Sequence, residues 1–212
     1  THTSGLGSGA YGDSVYGSVK PRSGDTLQSA AGRYAGCFLD FMPGTAQYYS
    51  AVLAFDVLAA VVERATGADY GSFVKKEIFL PLGMERTSYR LSDFSPCDLA
   101  RTCACKDGVL TPEPLHSAFE DFPAGYTGGG AGLVSTLNDY MLFAEELLRA
   151  LSGKGRILSR ESAAEMSRPQ LSKEIEGISD FYNWGLGGRA LAPECGWQPR
   201  TAGCVGWRGA DG

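Results

Sequence analysis

The chain has only two histidines, His2 and His116, far apart in sequence and with no evident acid partner. That scarcity argues against a Ser-His-Asp relay, which needs an imidazole oriented by a carboxylate. Gly-x-Ser-x-Gly, Gly-x-x-x-x-Gly-Lys-Ser/Thr and His-Glu-x-x-His are all missing, so nucleophile-elbow hydrolases, P-loop nucleotide binders and zincins drop out. No apolar run approaches the ~20 residues needed to cross a bilayer, and the longest, Ala51 to Val62, is interrupted by Asp56. Basic runs are also lacking: 19 Lys and Arg against 24 Asp and Glu leave a net charge of −5, which argues against nucleic acid as a partner. The six cysteines, Cys37, Cys97, Cys103, Cys105, Cys195 and Cys204, are too sparse in 212 residues for a disulfide scaffold, and buried or free thiols are expected. Cys97, Cys103 and Cys105 with His116 form a conceivable zinc cluster, but no Cys-x-x-Cys spacing supports it and no metal is expected.

What is present is ordinary for a folded protein. Apolar residues make up 43% and charged residues 20%, enough for a substantial core in one large domain or two small ones and incompatible with a wholly disordered chain. The sequence opens on Thr1-His2-Thr3 with neither an initiator Met nor a charged-then-apolar leader. The expectation is that the native start lies elsewhere, and localisation cannot be read.

Periodicity marks out the helices. Gln47 to Thr66 carries Val52, Phe55, Leu58, Val61 and Val62 at steps of three and four and runs into Gly67, which predicts one helix over that span. Thr1 to Gly32 reads as a Gly- and Ser-rich opening segment that contributes little core, with a short helix around Thr26 to Tyr34. Asp69 or Ser72 caps a helix through about Phe79, stopped by Pro81, with Leu82 and Met84 as core. Prolines 96, 112, 114 and 123 predict an irregular excursion from Ser92 to Thr127, with a hairpin near Lys106-Asp107-Gly108. Ser135-Thr136 caps a helix reaching about Gly153, and Ser159 caps another through Met166. Tyr182 to Gly187 and Gly203 to Trp207 read as strands bounded by glycines. The run Gly128 to Gly132 precedes a helix but has no following lysine, so tight packing is favoured over a phosphate cradle.

One Ser-x-x-Lys occurs, Ser72 to Lys75. Its spacing would place a hydroxyl and an amine on one helical face, yet Ser72 stands where a cap is expected and Lys75-Lys76 read as solvent-facing. More informative is an ordered set: Thr1-His2-Thr3-Ser4-Gly5-Leu6, Pro43-Gly44-Thr45 followed by Tyr49-Ser50, Glu63-Arg64-Ala65-Thr66-Gly67, Pro81-Leu82-Gly83-Met84-Glu85-Arg86-Thr87, and Gly132-Leu133-Val134-Ser135-Thr136-Leu137-Asn138-Asp139. It resembles the serine β-lactamase-related family, which takes in class C β-lactamases, D-alanyl-D-alanine carboxypeptidases and family VIII esterases, and the likeness spans nearly the whole chain.

The resemblance implies an α+β, mostly helical fold of the β-lactamase/transpeptidase-like type, truncated here at both ends. Residues 1–180 would be a mainly helical domain with long loops, and 181–212 strands of the α/β sheet domain. It also implies acyl-enzyme chemistry on an ester, D-amino-acid amide or β-lactam, with no cofactor. In relatives the nucleophile and its lysine lie some tens of residues upstream of His-Thr-Ser-Gly-Leu, so the catalytic serine is expected to be absent and this chain inactive. Tyr49 matches the family's Tyr-Ser/Ala-Asn tyrosine, a phenol that relays a proton beside a lysine. Tyr48 competes if the register slips by one, and a core tyrosine at a helix start is the alternative. Ala51 stands where an asparagine is usual, as in the esterase-like branch, which argues against efficient β-lactam hydrolysis. Gly206-Trp207-Arg208-Gly209-Ala210 resembles the Trp-Gly-Gly form of the third motif, implying a substrate-binding and oxyanion role for Trp207, Gly209 and Ala210, with Arg208 as a departure; the alternative is a Gly-rich turn with Trp207 as packing. The partner implied is a small-molecule or peptide substrate. A non-catalytic peptide- or cell-wall-binding domain is the alternative function, and self-association through exposed sheet edges a third.

Overall fold

Thr26 opens the first helix, its side chain accepting the Ser29 amide while the Ser29 hydroxyl returns the bond to the Thr26 backbone. In this computed structural model, which describes residues 1–7, 18–50, 52–100, 103–112, 122, 123, 125–175, 182–191 and 205–207, that helix is α1, Leu27–Tyr34. Leu27, Ala30 and Tyr34 are its buried face. They meet Leu53, Ala59 and Ala60 of α2, Leu53–Thr66, and Tyr126 in one apolar cluster against which Leu6 also packs. The opening segment therefore supplies core, contrary to the composition-based expectation, because Thr26 to Tyr34 carries an apolar stripe among its small residues.

Helix α2 ends at Gly67 as the sequence indicates, but begins at Leu53 rather than Gln47. Gln47 to Ser50 stays out of the helix because its amides are engaged elsewhere: Tyr48 N–H donates to the His2 carbonyl at 3.1 Å and Ser50 N–H to His2 Nδ1 at 3.2 Å. Local periodicity predicts the helix, and contacts with residues far upstream in sequence win.

Asp69 caps α3, Tyr70–Val74, by accepting the Ser72 amide. The chain then widens into a π turn, Lys75–Phe79, and closes with α4, Leu80–Leu82, ending at Gly83. Pro81 thus lies inside the helical run instead of stopping it. In the π turn Leu80 N–H reaches the Lys75 carbonyl five residues back, and a widened turn accommodates a ring that has no N–H to give. Val74, Phe79, Leu82 and Met84 form a second cluster with Leu142 and Phe143 of α5, Leu137–Leu151. Thr136 caps α5 and Ser159 caps α6, Arg160–Ser167, as expected.

Strands β1, Cys103–Lys106, and β2, Val109–Pro112, form an exposed antiparallel hairpin turning at Asp107-Gly108, where both residues have positive φ (52° and 78°). The second sheet is antiparallel, in the order β3 (Tyr182–Trp184), β4 (Arg189–Leu191), β5 (Val205–Gly206), with Trp184 opposite Arg189 and Arg189 opposite Gly206. The sequence pattern misses β4, which is only three residues long.

The glycine run packs tightly, as its composition suggests. A Cβ on Gly129 would come within 2.2 Å of the Phe55 carbonyl oxygen, so the run lies against α2 and its amides point at Asp56.

Candidate active site

Two segments distant in sequence build the site. Thr3 and Gly5 offer their carbonyls to the Gly44 and Asp40 amides, both at 2.9 Å. These bonds, with those from His2, lay Thr1-His2-Thr3-Ser4-Gly5 along the 40–50 segment. Ser50 donates its hydroxyl to the Leu6 carbonyl at 2.6 Å. The side chain of His2 is thereby carried inward, at 8% exposure, between the helical part and the sheet.

Around that imidazole the aromatic rings converge. Tyr49 lies 4.7 Å from it, Trp184 4.1 Å, Phe55 5.4 Å and Trp207 5.9 Å, centroid to centroid. Tyr49 and Trp207 stack on each other at 5.1 Å with their planes 28° apart, and Trp184 meets Trp207 at 4.6 Å. The guanidinium of Arg189 sits 4.3 Å over Trp207 and 5.8 Å from Trp184, a spacing at which the ring faces stabilise the cation. Trp184 is fully buried, whereas Tyr49 is 49% exposed and Trp207 39%. The structure therefore makes a buried His2–Trp184 floor with Tyr49 and Trp207 open to solvent on top.

Burial pushes the His2 imidazole down to about 4, with the charged amino end of the 212-residue chain and Arg189 acting in the same direction and the backbone bond with Ser50 opposing. At neutral pH it is uncharged, and since Nδ1 accepts from Ser50 the proton resides on Nε2.

Of the residues singled out by sequence, Tyr49 and Trp207 are brought together. Gly209, Ala210 and Ala51 lie outside the described residues, as do His116, Cys195 and Cys204. Tyr49 is in neither the core nor a helix, so the reading of it as a core tyrosine at a helix start does not hold. Tyr48 contacts Phe41 instead, at 5.9 Å. Ser72 and Lys75 are exposed and line a separate cleft of about 560 Å³ with Phe79, Met84, Arg86 and Arg90. Cys37, Cys97, Cys103 and Cys105 carry free thiols, and no cluster able to hold a metal occurs among the described residues. No described helix is long and apolar enough to cross a membrane. Sequence reasoning missed Trp184 and Arg189. Their signal was Trp184 placed two residues before Leu186-Gly187, within the segment already read as a strand.

A mainly helical body bearing an antiparallel sheet fits the β-lactamase/transpeptidase-like α+β fold. The chain belongs to the Beta-lactamase family, whose model matches residues 1–212. It is 32% identical over 240 aligned residues to the esterase EstB of Burkholderia gladioli, covering all of this chain and 58% of that protein. Among solved structures it resembles EstCE1, described as a hydrolase with promiscuous acyltransferase activity, with a TM-score of 0.74 at 26% identity over 95% of this chain and 57% of the other. A penicillin-binding protein from Bacillus halodurans shares the fold, with a TM-score of 0.66 at 19% identity over 92% of this chain and 55% of the other. The chain thus spans little more than half the length of these relatives.

Proposed function

We propose that residues 1–212 form the Tyr49-bearing part of a serine hydrolase that cleaves an ester or a D-amino-acid amide, a β-lactam being the less favoured substrate, through an acyl-enzyme. The observation that carries this reading is the Tyr49–Trp207 stack, half-exposed and set against a buried floor. In this reading the nucleophile comes from a Ser-x-x-Lys outside these residues, since Ser72 and Lys75 open onto a different cleft. The serine oxygen attacks the substrate carbonyl while the Tyr49 oxygen relays the serine proton toward the lysine of that Ser-x-x-Lys. Tyr49 then returns that proton to the departing alcohol or amine, and the same group activates water against the acyl-enzyme. Trp207 walls the acyl site. Gly209 and Ala210 follow it in sequence, and the resemblance to the family gives the amide of Ala210 the role of oxyanion donor. The esterase relative supports an ester substrate, as does Ala51 in place of an amide side chain.

The test is intact-mass labelling of the full-length protein and of residues 1–212 by a fluorophosphonate and by a penicillin. Labelling by the fluorophosphonate in the longer protein alone, on a serine outside residues 1–212, is the expected result. Labelling of neither would overturn the enzyme reading in favour of a peptide- or cell-wall-binding domain. Labelling at Ser72 would overturn the assignment of the nucleophile.

A further inference from the structure

The buried imidazole of His2 has a place in the site that the proposed chemistry does not use. Its residue binds both amides that flank the Tyr49 amide: the carbonyl takes Tyr48 N–H at 3.1 Å and Nδ1 takes Ser50 N–H at 3.2 Å. The backbone of Tyr49 is therefore held on either side by one residue. The same ring meets Trp184 edge-on at 4.1 Å, and Trp207 lies 5.9 Å away. His2 itself adopts φ 57°, a left-handed conformation that is uncommon for a residue with a Cβ. Such strain persists where the surroundings over-determine it. Here three hydrogen bonds fix the segment around it, from Tyr48, Ser50 and Gly44 to His2 and Thr3.

We propose that His2 is a positioning residue: through the Ser50 amide on one side and the tryptophan floor on the other, it sets the placement of the Tyr49 phenol relative to Trp207. This rests on the reading of Tyr49 as the proton relay. A packing histidine would need only its ring, whereas this role needs the acceptor at Nδ1. The acceptor is lost when the ring takes a second proton, because two N–H groups would then face each other across the His2–Ser50 contact. The charged and titratable groups of the described residues that face the ring are the Arg189 guanidinium of β4 and the Tyr49 phenol, joined by an ammonium at Thr1 only where the chain starts at that residue. Burial and the Arg189 cation keep the imidazole neutral, and Phe55, Trp184 and Trp207 complete its surroundings without charge.

Two substitutions separate acceptor from ring. His2→Asn places an amide oxygen near Nδ1 and tolerates positive φ, while His2→Phe keeps a ring and removes the acceptor. In the full-length protein, hydrolysis of a short-chain p-nitrophenyl ester is expected to lose about 10- to 100-fold in kcat for His2→Phe with KM nearly unchanged, the scale of a small misplacement. His2→Asn should recover most of that loss. Near-ultraviolet circular dichroism of the coupled tryptophans should show an acid transition in the wild type that both substitutions abolish, at unchanged far-ultraviolet signal. Equal kcat in His2→Phe and wild type, or a loss that His2→Asn does not relieve, overturns the proposal. An inactive wild type would sink the hydrolase reading instead. The dichroism arm then decides on His2 by itself, persistence of the transition in both variants overturning it.

Discussion

The Asp56 carboxylate accepts the Tyr126 hydroxyl at 2.8 Å, tying the first turn of α2 to a segment 70 residues further along the chain. The same carboxylate takes the Tyr34 hydroxyl at 3.2 Å and the amides of Gly129 and Gly130 at 2.8 and 3.3 Å. One fully buried charged side chain thus gathers α1, α2 and the glycine run. Its neighbour in sequence, Phe55, touches His2, so this knot stands directly behind the aromatic site.

Removing that carboxylate should be costly. Asp56→Ala leaves two buried hydroxyls and two amides without their acceptor, and the expected loss is about 3–5 kcal/mol of unfolding free energy. Asp56→Asn keeps the shape but turns one oxygen into a donor facing donors, and should lose somewhat less. Urea unfolding followed by far-ultraviolet dichroism measures both, and a loss under about 1 kcal/mol for Asp56→Ala would contradict the role assigned to the knot.

A second buried carboxylate makes a parallel case. Glu146 of α5 is 2% exposed, and its Oε1 accepts the amides of Arg156, Ile157 and Leu158 at 2.8, 2.9 and 3.3 Å. It therefore holds the α5–α6 connection from inside. Glu146→Ala should destabilise by about 2–3 kcal/mol, whereas Glu146→Gln, which keeps one carbonyl oxygen, should lose less than half of that. Hydrogen exchange should speed up at amides 156–158 in the alanine variant alone.

Much of the secondary structure was legible because its signals are local. Thr26, Thr136 and Ser159 cap the helices they were expected to cap, and Asp107-Gly108 turns the hairpin. Leu82 and Met84 are core, as their spacing suggests. What was not legible depends on partners distant in sequence. The start of α2 moves to Leu53 because His2, some fifty residues earlier, engages the intervening amides. The π turn ahead of Pro81 has no simple period. Within the site, Tyr49 and Trp207 carry recognisable motifs, but their floor of His2 and Trp184 and the Arg189 cation exist only once the sheet is folded against the 40–50 segment.

Acid should loosen the molecule in a window set by His2. Its folded pKa, lowered to about 4 by burial, lies below the ordinary value of 6.5 that it regains on unfolding. The unfolded chain therefore binds the proton first, and the contribution of the neutral imidazole, fully present above pH 6.5, drains away as pH falls to 4. With 1.36 kcal/mol for each pKa unit, that amounts to a loss of about 3 kcal/mol of unfolding free energy. Asp56 acts in the opposite sense. Burial raises its pKa, with the Tyr126, Gly130, Gly129 and Tyr34 bonds opposing, so its share is present below the unfolded carboxylate value and is lost as pH rises through the folded one. The difference between wild type and His2→Asn isolates the histidine, because Asp56 and every other titrating group are common to both. Unfolding free energies measured from pH 7 to 4 should fall more steeply in the wild type, and parallel curves would show that the His2 imidazole does not titrate in this window.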